Sequence, residues 1–290
     1  MPVLTTVGGN PIGEKPMQAM MIQLLALLIG ATAPAAATDM PQTPVPEPDL
    51  RLANEPVPFL VDKAQRAKSS RILPPAPVSG TPRYEADRDV FRRTRALRDS
   101  PRWALARQDV GLGVPVMLTN FSCAVGTRLS PVKTPMLAGL LTRVSADAER
   151  VIEPAKASNR RLRPFRIDNG AVCQAKEKLH SYDYPSGHAT WGWTIGLLLA
   201  ELAPDRASEV LVRARVYGES RVVCGAHNLS AVEAGQTTAA ALVSTLHGSS
   251  AFRDAMQAVR GELAAAREVD DIGPDHASCM AEAAAAKTLF

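Results

Sequence analysis

The sequence predicts an all-α fold in one domain, on three observations. Residues 134–157 place Met136, Leu137, Leu140, Leu141, Val144, Ala148, Val151 and Ile152 at three-four spacing, the period of an amphipathic helix. Residues 189–203 are apolar nearly all round, with Trp191, Trp193, Ile195, Leu197, Leu198, Leu199 and Leu202, a pattern that belongs at the centre of a bundle. No stretch alternates apolar and polar residues as a half-buried strand does, and no hairpin turn signal or internal repeat is present.

The elements follow in chain order. Met20–Gly30 is an apolar run of signal-peptide length, and Ala35-Ala36-Ala37 supplies small residues for cleavage before Thr38, so residues 1–37 read as a signal peptide and the mature chain as periplasmic or secreted. Residues 38–82 are a proline-rich, extended lead-in, with Leu73-Pro74-Pro75-Ala76-Pro77 laid along the surface. The folded domain spans 83–269. Residues 83–109 are helical and broken at Pro101. Residues 110–126 form a helix with glycine joints. The helix over 134–157 comes next, then the apolar helix of 189–203. Pro204 ends that helix, and Asp205 is positioned to cap another over 207–218. Helices over 231–246 and 252–269 complete the domain, and 270–290 is an acidic turn with an alanine-rich tail.

Composition narrows the function. The net charge of +4 is mildly basic, but no long Lys/Arg run or aromatic-laced basic stripe is present, which argues against a nucleic-acid partner and suits small anions. Cys123, Cys173, Cys224 and Cys279 contain no CxxC pair, so a zinc site is disfavoured. In an exported chain they predict one or two disulfides, with three full connectivities open.

Three clusters carry the chemistry. Lys156 is followed after six residues by Arg163-Pro164. Tyr184-Pro185-Ser186-Gly187-His188 opens the apolar helix. Ser220-Arg221 is followed after five residues by His227. Ser186 is a good N-cap, and the helix start presents free N–H groups and a positive dipole end to an anion. Arginine offers paired donors to phosphoryl oxygens, lysine a compact charge, and the two histidines a nucleophile and a proton carrier.

This constellation resembles the signature of the type 2 phosphatidic acid phosphatase (PAP2) superfamily. Within it, the context at 84–109, Arg163-Pro164-Phe165, Cys173 and 218–227 is most similar to the bacterial class A non-specific acid phosphatases. The resemblance implies a helical bundle of the acid phosphatase–haloperoxidase type that hydrolyses small phosphate monoesters. His227 is the implied nucleophile and His188 the general acid. Lys156, Arg163, Ser186, Gly187 and Arg221 are the implied phosphate ligands. No metal or other cofactor is implied. Inorganic phosphate or vanadate is expected to inhibit, and family habit implies a homo-oligomer.

One position departs from that pattern. The family carries an aspartate four residues after the nucleophile, and here the position is Ala231. A carboxylate there would fix the tautomer and orientation of His227, so its loss predicts weakened turnover and a gain on Ala231→Asp. Glu233 lies about 200° further round a helix and is a poor substitute. Two other readings therefore stand beside a working phosphatase: a weak or inactive member that binds phosphorylated ligands, and a vanadate-dependent haloperoxidase.

Overall fold

A computed structural model describes residues 56–269 and 273–287. The expected signal peptide and the first part of the lead-in lie outside these residues. Among the described residues the regular structure is entirely helical. Ten α-helices follow one another: α1 (Ser69–Ile72), α2 (Pro82–Thr94), α3 (Pro101–Gln108), α4 (Val114–Val125), α5 (Pro135–Asn159), α6 (Gly187–Leu202), α7 (Ala207–Val223), α8 (Leu229–Leu246), α9 (Ser250–Glu268) and α10 (His276–Ala286). Several starts are set locally. Proline at the first position opens α2, α3 and α5, where its missing N–H costs nothing. Thr81, Ser100, Ser186 and Ser249 each accept a hydrogen bond from the N–H three residues on.

Helix α6 is central, as its all-round apolar pattern predicts, and packs most extensively against α7 and α8. Gly192 and Gly196 make the α6–α7 approach possible: a methyl group at 196 would sit 2.4 Å from that of Ala214. Helices α5 and α9 cover another flank, with Phe252, Met256, Val259 and Leu263 of α9 turned inward at the expected spacing. The proline-rich strip lies along the domain as anticipated. Asp147 on α5 accepts from the N–H groups of Phe59 and Leu60, and Asn159 accepts from Ala76 N.

Three local expectations are corrected. Helix α7 runs past Gly218 to Val223, because Gly218 sits inside the helix against Ala189 and Val232 instead of ending it. Asp205 does not cap α7; it pairs with Arg267 on α9. Residues 276–286 form a helix, α10, which a disulfide from Cys279 to Cys123 holds against α4. The second disulfide joins Cys173 to Cys224.

Candidate active site

The three sequence clusters meet. Lys156 comes from the last turn of α5, Arg163 from the segment after it, Ser186–His188 from the start of α6, Arg221 from the last turn of α7, and His227 from the turn before α8. A cavity of about 540 Å³ is lined by Lys156, Arg163, Gly187, His188 and His227, with Gln174, Leu112 and Trp191 among its walls. Ser186 and Arg221 lie fully buried behind that surface.

Position is imposed on each side chain. Arg163 donates from Nε to Ser181 O (2.8 Å), from Nη2 to Ser181 Oγ (2.9 Å) and from Nη1 to Ala226 O (2.9 Å). Lys156 Nζ donates to Tyr182 O. Arg221 Nη2 donates to Gln174 Oε1, while its Nε and Nη1 are buried without a partner in the protein. Buried donors left unpaired are costly, so this guanidinium is built to meet an acceptor. The end of α7 is held by Arg95, whose Nη2 donates to Val222 O and Val223 O at 2.9 and 2.8 Å. The Cys173–Cys224 disulfide sets Gln174 beside Arg221.

The tautomers follow from the partners. His227 Nδ1 lies 2.9 Å from both the backbone oxygen and Oδ1 of Asp183. Both are acceptors, so Nδ1 carries the hydrogen, and Nε2 accepts from Arg163 Nη1 at 2.9 Å. His188 Nε2 lies 3.0 Å from Val110 O and so carries its hydrogen there, leaving Nδ1 as the free nitrogen. Val110 is held in place by its neighbour: Asp109 is locked to Arg213 Nη2 at 2.5 Å and accepts from Ser220 Oγ at 2.6 Å.

The electrostatics are those of crowded, buried cations. Burial, with Arg221 nearby, pushes His188 well below the ordinary histidine value. Burial, with Arg163 and Lys156, does the same to His227. Lys156 is pushed down to about 8 by burial and by Arg163, and Arg221 to about 10 by burial. An anion placed among them relieves each of these costs.

The expectation that His227 lacks a carboxylate does not hold. Ala231 contributes none, and Glu233 is turned away to pair with Arg83, but Asp183 takes the contact. Sequence reasoning missed Asp183, Gln174 and the Val110 carbonyl. The one available signal was an aspartate directly preceding Tyr184-Pro185-Ser186-Gly187-His188.

The chain is similar in sequence to known proteins over most of its length. Residues 136–253 match the PAP2 superfamily model. The chain is 40% identical over 216 residues to an acid phosphatase of Zymomonas mobilis, covering 73% of this chain and 81% of that one. It is 34% identical over 206 residues to a non-specific acid phosphatase of Salmonella typhimurium, covering 69% and 81%. A non-specific acid phosphatase of Providencia stuartii is 31% identical over 221 residues, covering 75% and 89%.

Proposed function

The chain belongs to the PAP2 superfamily, and from that premise we propose that it is an exported acid phosphatase working through a phosphohistidine. The observation that carries the proposal is the tautomer of His227, with Nδ1–H on Asp183 and the Nε2 lone pair toward the cationic cage. Lys156, Arg163 and Arg221 hold the phosphoryl oxygens of a monoester, with Ser186 and the Gly187 N–H at the start of α6. A phosphoryl oxygen competes for Arg163 Nη1 and so uncovers Nε2. Nε2 then attacks phosphorus, the P–O bond to the alcohol breaks, and His188 gives its proton to the departing oxygen. In the second half, His188 takes a proton from water. The resulting hydroxide displaces His227, and phosphate leaves. The cage stabilises charge on the equatorial oxygens in both steps.

Both histidines are depressed in the empty site, and the two roles differ in the charge they require. His188 must be charged to act as acid; burial opposes that in the empty site, and a bound phosphoryl dianion favours it, so its charged form is reached with substrate in place and toward acid pH. His227 must be neutral to attack, and its lowered pKa keeps it neutral into that acidic range. Export is supported by the apolar run at 20–30 and by two disulfides, which persist in oxidising compartments. No helix among the described residues is long and apolar enough to cross a membrane. The carboxylate on His227 favours a working enzyme over a phosphate-binding relic.

The test is hydrolysis of 4-nitrophenyl phosphate from pH 4 to 8 without added metal, with rapid quenching to trap phosphohistidine. Turnover rising toward acid pH, with a phosphoenzyme that His227→Ala abolishes, is expected. A wild type inert at every pH, or a phosphohistidine persisting in His227→Ala, overturns the reading.

A further inference from the structure

Position 231 is fully buried, and its methyl group packs with Leu73, Tyr184 and Ala234. The first turn of α8 therefore offers the imidazole nothing polar. Asp183 approaches from a different segment, the 181–186 strap that leads into α6. Its Oδ1 is 2.9 Å from His227 Nδ1 and accepts from Asn228 N at 3.2 Å, while Oδ2 accepts from Asn228 Nδ2 at 2.8 Å. Arg161 Nε stands 3.7 Å from Oδ2, and the Asp183 N–H donates back to Arg161 O at 2.9 Å. Arg161 is itself fixed, with Nη2 donating to Asp87 Oδ2 at 2.8 Å and Nη1 to Ser230 Oγ at 2.6 Å. A fully buried carboxylate surrounded by that many donors has one orientation, and the imidazole bound to it has one tautomer.

We propose that Asp183 is the positioning residue of His227, performing from the strap the task that the family pattern gives to position 231, with Asn228 and Arg161 holding it there. The proposal rests on the phosphohistidine reading above. Asp183 hydrogen-bonds the nucleophile and none of the cage cations, and its negative charge near Arg163 and Lys156 does nothing to attract an anion, so its removal lowers turnover without weakening anion affinity. The same geometry reverses the effect first expected of Ala231→Asp. In the wild type that change forces a second carboxylate into an apolar cluster beside Tyr184, and turnover falls. Once Asp183 has lost its charge, the new carboxylate has a vacated role to fill.

The decisive experiment compares wild type, Asp183→Asn, Ala231→Asp and the double variant in steady-state assays and in inhibition by inorganic phosphate. Asp183→Asn is expected to lower kcat about 10²- to 10⁴-fold, the range set by loss of the carboxylate in a serine-protease triad. The phosphate inhibition constant is expected to rise by no more than about threefold, because every cage cation keeps its hydrogen bonds and loses only a neighbouring negative charge. Ala231→Asp is expected to lower kcat alone and to raise it about tenfold or more on the Asp183→Asn background, the sign reversal expected of residues that serve the same group. A kcat for Asp183→Asn within about threefold of wild type, or a loss of phosphate affinity as large as the loss of kcat, overturns the proposal. Nitrogen-15 histidine NMR of wild type and Asp183→Asn separates the carboxylate from the backbone oxygen of the same residue, which also lies 2.9 Å from Nδ1. In wild type the expected signal is an Nδ1–H tautomer with a far-downfield proton, assigned by its disappearance in His227→Gln, and in Asp183→Asn that proton moves upfield; a proton unmoved by Asp183→Asn, or an Nε2–H tautomer at His227 in wild type, refutes the role. An inert wild type that still shows the Nδ1–H tautomer counts against the phosphatase reading and not against this one.

Discussion

Lys156 is the cation whose charge the cage is closest to losing. It is 4% exposed, held on Tyr182 O, and pushed down to about 8 by burial and Arg163. A lysine depressed in this way is charged below that value and neutral above it. Expressed per phosphate dianion, the inhibition constant should therefore rise above about pH 8, with Lys156 adding at most about tenfold per unit, since one proton is involved. Lys156→Arg, which keeps its charge, should remove that break; a wild-type dianion constant flat to pH 9.5 would show that Lys156 is not the limiting charge. Lys156, Arg163, His188, Arg221 and His227 were legible because each sits at a fixed spacing within a short motif. Asp183 was not, because its partnership with His227 spans 44 residues and exists only after α6 and α8 have packed. Spacing from His227 pointed to position 231, where the chain has a methyl group; the carboxylate that does the work arrives along a different route.

At the scale of elements, the site depends on how closely α8 approaches the start of α6. The Ser186 N–H donates to Ala231 O at 2.9 Å, and Gly235 lies over the same turn. A methyl group at 235 would be 2.7 Å from Ser186 O and 2.9 Å from Ala189 Cβ. Backbone cannot yield to that cheaply. Gly235→Ala should cost about 1–3 kcal/mol of stability and lower kcat by displacing Ser186–His188. Gly261→Ala, on the exposed face of α9 with nothing within 4 Å of the new carbon, should be neutral or slightly stabilising. Thermal melts with kinetics on both variants check this. The helices themselves were largely legible: three-four spacing located α5 and α9, and uniform apolarity located α6. What propensity misjudged was an end that packing overrides. Helix α5 continues through Pro154 as its spacing predicts, whereas α7 continues through Gly218, where an end was expected. There a residue that weakens an isolated helix is the one that lets it fit against its neighbours.

Over the molecule as a whole, the two disulfides divide the labour. Cys173–Cys224 serves the site, setting Gln174 against Arg221. Cys123–Cys279 lies away from the cavity and ties α10 to α4. Replacing Cys123 and Cys279 together by serine should therefore lower unfolding stability by about 2–4 kcal/mol while leaving KM for an aryl phosphate unchanged. Denaturant unfolding beside steady-state kinetics tests it, and a changed KM would mean that the outer helix reaches the site. The cysteine count made disulfides legible but not their connectivity, since nothing local records that residue 279 returns to residue 123. The resulting covalent topology is a ring within a ring. The smaller closes over residues 173–224 and holds Asp183, Ser186, His188 and Arg221; the larger closes over 123–279 and adds Lys156, Arg163 and His227. For a protein facing proteases, a single cut anywhere between residues 123 and 279 severs the thread without setting either piece adrift.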